Sequence, residues 1–163
     1  MLLTFVRHAE ASSGAASDFE RRLTQHGKNQ AAQLAAFYAT IKYPPELILS
    51  SPVVRARQTA EVIKQRLESA TFLEQAWLSC GMNPENCLCE ISSFTRFKSI
   101  LLVGHEPDLS KTIAFLLGSP NLRSIPVVTA SICALEIPSF GPGTAALQYF
   151  LPPDLLPSLS HAA

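Results

Sequence analysis

Leu2-Leu3-Thr4-Phe5-Val6-Arg7-His8-Ala9-Glu10 opens as an apolar, β-favouring run and stops abruptly at Arg-His-Ala-Glu. Short continuous apolar runs are how the buried strands of parallel sheets read, since both of their faces are covered. In open α/β sheets ligands bind beyond the carboxyl ends of such strands, which is where Arg7 and His8 fall. Ser99-Ile100-Leu101-Leu102-Val103-Gly104-His105-Glu106-Pro107 repeats the arrangement. If the two strands are neighbours, both imidazoles face one crevice.

The remaining segments fit that frame. Thr24 is a helix cap, and Ala31, Leu34, Ala35, Tyr38 and Ile41 make one helical face that Pro44-Pro45 ends. Leu47-Ile48-Leu49 is a second strand. Ser51-Pro52 reads as the N-cap and first turn of a helix whose buried face is Ala56, Thr59, Ala60, Ile63 and Leu67, with Arg55 near its positive end. Thr71-Phe72-Leu73 is a short strand, and Asn83-Pro84 starts a helix with Cys87, Ile91 and Phe94 on one side. Pro107 opens a helix that Gly118 and Pro120 close. Ser131–Ile137 and Ala145–Leu151 read as a hairpin around Pro138–Gly143. Segments 9–23, 74–82 and 119–128 read as loops. Strands alternating with helices predict a three-layer α/β fold, a mostly parallel sheet flanked by helices, with an antiparallel strand pair at the C-terminal end.

The chain has 163 residues, enough for one domain over 1–163 with about 152–163 as a tail. At that length roughly 70% of the unfolded surface can be buried. Apolar residues are 47% and charged residues 16%, the balance of a globular chain. Thirteen basic residues match thirteen acidic ones, so there is no broad cationic field for nucleic acid or an anionic membrane. No apolar run is long enough to span a bilayer, and residues 1–6 are too short for a signal peptide. The expectation is a cytoplasmic protein with no nucleic-acid or membrane partner. Cys80, Cys87, Cys89 and Cys133 match no zinc spacing and read as reduced, small core hydrophobes. No metal site is expected.

Arg7, His8, Arg55 and His105 carry the chemistry. Two permanently charged guanidiniums repel a cation and suit an anion with several oxygens, which arginine grips with paired N–H donors. Helix N-termini after Ser51 and Pro107 would add free N–H groups and a positive dipole end. A phosphoryl group is the natural guest. Beside it, a histidine is either a general acid–base or a nucleophile that becomes phosphorylated. Neighbouring arginines should keep His8 neutral by like-charge repulsion, while a protonated His105 would stabilise oxygen charge in the transition state.

Arg7-His8-Ala9-Glu10, then Ser51-Pro52-x-x-Arg55-Ala56-x-Gln58-Thr59-Ala60, then Gly104-His105-Glu106 together resemble the histidine phosphatase superfamily, the relatives of phosphoglycerate mutase. The resemblance implies a phosphoglycerate mutase-like fold, His8 as the phosphorylated nucleophile, and Arg7, Arg55 and His105 completing a phosphate pocket with no cofactor. Asp18-x-x-Arg21-x-Leu23-Thr24-x-x-Gly27, the short length and Cys80-Gly81 look like the SixA-type phosphohistidine phosphatases within that family. That implies hydrolysis of phosphate from a histidine of a phosphorelay protein, with a phosphorylated histidine-containing domain as partner. Asp18, Arg21 and Glu106 would then be substrate-binding residues, with Asp18 and Arg21 at the mouth of the site. Glu106 read plainly is an acid favoured by a helix dipole, and Asp18 and Arg21 read plainly are an ion pair. Ala9 replaces a common glycine, so positive φ is not expected there, and Arg22 replaces a usual proline. Glu74, Glu85, Glu106 and Asp18 are all candidates for a leaving-group acid, and no motif chooses among them. A leaving imidazole nitrogen, with a pKa of about 6.5, needs such an acid less than an alkoxide does. The alternatives are a phosphatase for small phosphate monoesters and a binder of phosphorylated ligands without turnover.

Overall fold

The structure is a computed structural model that describes residues 1–121 and 125–156. Six strands form one sheet: β1 Leu2–Arg7, β2 Leu47–Ser50, β3 Thr71–Glu74, β4 Ser99–Gly104, β5 Ile132–Glu136 and β6 Ala146–Leu151, in the order β3-β2-β4-β1-β5-β6. β3, β2, β4 and β1 pair in parallel, β5 runs antiparallel to β1, and β6 antiparallel to β5. The helices are α1 Gln25–Thr40, α2 Val54–Arg66, α3 Pro84–Ser92 and α4 Asp108–Leu116. This is the α/β fold with an antiparallel C-terminal pair that the pattern predicts.

The two-residue strand period sorts the core into two layers. Leu3, Phe5, Leu47, Leu49, Ile100 and Leu102 point to one face and meet Cys87 and Ile91 of α3 and Leu109, Ile113 and Leu116 of α4. Val6, Ile48, Leu101 and Val103 point to the other, against Ala31, Leu34 and Tyr38 of α1 and Ala56, Ala60 and Ile63 of α2. Every residue of β4 is buried, whereas the edge strands β3 and β6 are largely exposed. Central strands therefore lack polar alternation, and the exposure falls on the two edges of the sheet.

The helices after β1 and after β4 leave toward opposite faces, so a crevice opens between the carboxyl ends of these adjacent strands. Arg7 lies opposite Gly104 in the parallel register, and the His8 N–H bonds Gly104 O at 3.1 Å. The two histidine-terminated runs are thus neighbours, as the crevice required.

Several expectations change. α2 starts at Val54 with Val53 at the cap, because Ser51 N still bonds Val103 O at 3.0 Å and keeps the backbone in the ladder. Ser51 is therefore not the N-cap. The loop 9–23 holds a 3-10 turn at Asp18–Glu20 and a bridge between Ala11 and Leu23. Loop 74–82 contains a 3-10 turn at Ala76–Leu78. The expected tail is structured at its start: Pro153–Leu155 form a 3-10 turn and Leu156 is buried in the α1–α2 layer, while 157–163 lie outside the described residues. Cys87 and Cys133 are core residues, but Cys80 and Cys89 are exposed. Among the described residues no helix is long and apolar enough to cross a membrane.

Candidate active site

His8 and His105 follow β1 and β4 directly, and their ring centroids are 5.2 Å apart. Arg55 sits in the first turn of α2, only 4% exposed, and reaches across to them. Its Nε–H donates to His8 Nε2 at 3.0 Å. On the other side of the ring, His8 Nδ1 lies 2.8 Å from Ala9 O, a carbonyl that can only accept. The two bonds assign the same tautomer: hydrogen on Nδ1, lone pair on Nε2. The His8 pKa is pushed down to about 4. Burial is the largest cause, and Arg55, Arg7 and Arg21 add to it, so the like-charge repulsion read from the sequence is secondary to desolvation.

His105 Nε2 lies 2.9 Å from Ser51 Oγ, which also accepts the Val53 N–H at 3.2 Å. Burial, helped by His8 and Arg55, pushes the His105 pKa down to about 3. From the sequence, His105 has a charge-stabilising role only if it is protonated, and burial favours its neutral form. Arg7 Nη1 donates to Val127 O at 3.0 Å. Arg7 Nε and His105 Nδ1 are buried with no hydrogen-bond partner. Orphaned buried polar atoms are costly and call for a ligand or a functional reason.

Asp18 lies beside Arg55, with its carbonyl and one carboxylate oxygen accepting from the guanidinium at 2.6 and 3.0 Å. Its other carboxylate oxygen accepts from Arg21 Nη1 at 3.0 Å. Arg21, then Arg55, hold the Asp18 carboxyl below its usual range, which suits an anion and not a proton donor. Glu106 is turned into α4: its carboxylate accepts from Ser110 Oγ at 2.5 Å and Ser110 N at 3.2 Å, and burial raises its pKa. Glu74 and Glu85 are both exposed, on β3 and in the first turn of α3, and neither reaches the histidines by any hydrogen bond. Cys80 Sγ is 3.9 Å from Arg55 Nη2. Its loop is fixed by buried Asp108, whose Oδ2 accepts the Gly81 and Met82 N–H groups at 2.6 and 3.1 Å.

The segment after β1 is tied down by side chains whose part was not legible in sequence. Thr59 Oγ1 accepts the Ala9 N–H, Gln30 Oε1 accepts the Glu10 N–H, and Gln58 Oε1 accepts the Leu23 N–H. Gln58 and Thr59 belong to the Ser51–Ala60 motif but carry no sign of these bonds there, and Gln30 and Asp108 give no signal beyond helix position. Gly27 has a clear reason: a Cβ there would sit 2.0 Å from Glu10 O. Ala9 does not have positive φ, as expected. A cavity of about 860 Å³ opens instead at the other end of the strands, around Met1, Tyr43, Lys98 and Gln148, remote from these histidines. Chemistry, and not cavity size, singles out the site at the carboxyl ends.

Two arginines and a pair of neutral imidazoles, one with its lone pair set by hydrogen bonding, can hold a multi-oxygen anion against a nucleophilic nitrogen. The profile of the histidine phosphatase superfamily (branch 1) matches residues 3–78. An uncharacterized protein of a Picosynechococcus strain is 33% identical over 126 residues, covering 71% of this chain and 74% of its own. The 5''-phosphoribostamycin phosphatase of Niallia circulans is 34% identical over 100 residues, covering 56% of this chain and 46% of its own. Phosphohistidine phosphatase SixA of Escherichia coli is 26% identical over 147 residues, covering 88% and 90%. A solved structure assigned as SixA of Agrobacterium tumefaciens superposes with a TM-score of 0.80 at 27% identity, covering 93% of this chain and 97% of that one.

Proposed function

This chain belongs to the histidine phosphatase superfamily, branch 1, and on that premise we propose that it hydrolyses the phosphoryl group of a phosphohistidine carried by a phosphorelay protein. The observation that carries the reading is the tautomer of His8. With Nδ1–H given to Ala9 O, the Nε2 lone pair is aimed at the Arg55 guanidinium, where a phosphoryl oxygen would bind. His8 Nε2 attacks phosphorus, the N–P bond of the substrate breaks, and the leaving imidazole nitrogen takes a proton from water. Water then attacks phospho-His8, releasing inorganic phosphate and restoring Nε2.

Arg7, Arg55 and His105 bind the equatorial oxygens, and the partnerless Arg7 Nε and His105 Nδ1 find acceptors there. When Ser51 donates its hydroxyl proton to His105 Nε2, a neutral His105 still presents an N–H at Nδ1. The guanidiniums supply the positive charge, so the scheme uses no metal or cofactor. Two features favour phosphohistidine as substrate. Asp18 is held ionised and Glu106 is engaged by Ser110, which leaves a weak acid for an alkoxide but enough for an imidazole. Phe19 and Val128, 61% and 47% exposed, flank segments that touch Arg55 and Arg7, a rim suited to a protein surface.

The similarity to a 5''-phosphoribostamycin phosphatase favours the second reading, a small phosphate monoester. Turnover of a phosphohistidine protein domain beside a chromogenic aryl phosphate, phosphoserine and a sugar phosphate decides between them. The expected result is at least a tenfold preference in kcat/KM for the protein, with acid-labile radiolabelled phosphate trapped on His8 and absent from His8→Ala. A preference for the sugar phosphate would promote the second reading, and a folded His8→Ala with native activity would remove His8 from both.

A further inference from the structure

Asp18 and Arg21 stand at the mouth of the site, yet their polar atoms are already committed. Arg55 has two edges of N–H groups, one across Nη1 and Nη2 and one along Nε. Asp18 takes the first edge completely, through its carbonyl at 2.6 Å and its Oδ2 at 3.0 Å. The Nε edge is the one turned to His8 Nε2, at 3.0 Å. Arg21 in turn holds Asp18 Oδ1 at 3.0 Å, and spends its other nitrogens on Ser12 O at 2.6 Å and Ala11 O at 3.3 Å. The chain of contacts runs from the 11–12 backbone through Arg21 and Asp18 to Arg55 and ends on the nucleophile.

We propose that Asp18 and Arg21 are positioning residues that aim the Nε edge of Arg55 at the phosphoryl site, and do not themselves bind substrate. This rests on the phosphoryl-binding reading of the site but not on phosphohistidine as the substrate. An arginine that enters from the first turn of a helix has several rotamers, and a guanidinium rotated in its own plane would present a different pair of donors. Occupying the Nη edge fixes that rotation. When a phosphoryl group arrives, the Nε–H passes from His8 Nε2 to a phosphoryl oxygen and frees the lone pair, while Asp18 keeps the other edge in place. A surface ion pair is ordinarily worth little, and the Asp18 side chain is 59% exposed. The claim is accordingly about orientation: the Arg55 side chain is 5% exposed, is gripped at two points, and has no room to average over rotamers.

A double-mutant cycle tests this, because a residue acting through Arg55 loses its effect once Arg55 has no edges to aim. Asp18→Ala, Arg55→Lys and the double variant would be compared by kcat and KM on a chromogenic aryl phosphate, and by affinity for inorganic phosphate. Asp18→Ala should lower kcat/KM about tenfold in the native background, mostly in kcat, and less than twofold in the Arg55→Lys background. Asp18→Asn leaves a single side-chain acceptor where Asp18 has two, one held by Arg21 and one by Arg55, and should recover only part of the loss. Equal losses in the two backgrounds would make Asp18 an independent substrate ligand and overturn the proposal. Should Arg55→Lys turn over too slowly to measure, phosphate affinity carries the same cycle: coupled losses support the proposal and equal losses overturn it. Failure of the phosphohistidine reading would appear as poor turnover of a phosphorylated protein and would leave the cycle unchanged. A site that binds no phosphate in any variant would fail the phosphoryl-binding reading itself, and the proposal with it.

Discussion

Arg55 concentrates the chemistry of this site in one side chain, since its two edges meet the nucleophile and the 3-10 turn at Asp18–Glu20 at once. Arg55→Lys keeps the charge and removes the edges. Steady-state kinetics should show a fall of at least about tenfold in kcat/KM, about 1.4 kcal/mol of transition-state stabilisation. An unchanged value would mean that charge alone suffices and that the hydrogen-bond geometry is incidental. His105 shows what a residue type leaves open. Its place in the site could be anticipated from the strand-end pattern, but its charge could not, because the largest influence on its pKa is the burial that folding imposes.

At the scale of elements, the loop after β1 is shaped by α1 and α2 packing against it. Gly27 lets the first turn of α1 sit against the Glu10 backbone, where Thr24 Oγ1 also donates to Glu10 Oε1 at 2.6 Å. Gly27→Ala sets two effects against each other. Alanine gains about 1 kcal/mol of helix propensity. Its Cβ, however, would lie 2.0 Å from a main-chain oxygen, which cannot swing aside as a flexible side chain can. Overpacking of that kind costs about 1–3 kcal/mol, so the clash is expected to win. Calorimetry should show Tm falling by about 2 °C or more. A rise in Tm would show that α1 shifts freely and that the close approach is not required.

Across the whole molecule, burying two neutral histidines links stability to pH. Their folded pKa values, about 4 for His8 and about 3 for His105, lie below the unfolded value of about 6.5. Between these limits the unfolded chain binds more protons, so stability falls as pH drops from about 6.5 toward 4. The slope approaches about 1.4 kcal/mol per pH unit for each histidine. Urea unfolding at pH 7, 6 and 5 should show the decline, and His8→Ala with His105→Ala should flatten it. An equally steep decline in the double variant would assign it to other groups. Much of this molecule is legible before folding is considered: apolar runs mark β1, β2 and β4, helical stripes mark the two layers, and Arg7, His8, Arg55 and His105 stand out by type and order. Those signals are local, because strand and helix periodicity depend on neighbours along the chain. The start of α2 falls beyond the cap expected at Ser51, whose side chain suits a cap while a bond to Val103 on another strand keeps its backbone extended. The Ser51–His105 contact, the Asp108 anchor of the Cys80 loop and the Asp18 hold on Arg55 likewise join residues far apart in sequence. Residue types and their order were set by the chain alone. Which hydrogen bonds those residues make, and therefore which protonation states they keep, was decided only when the sheet brought β1 beside β4 and sealed their ends from water.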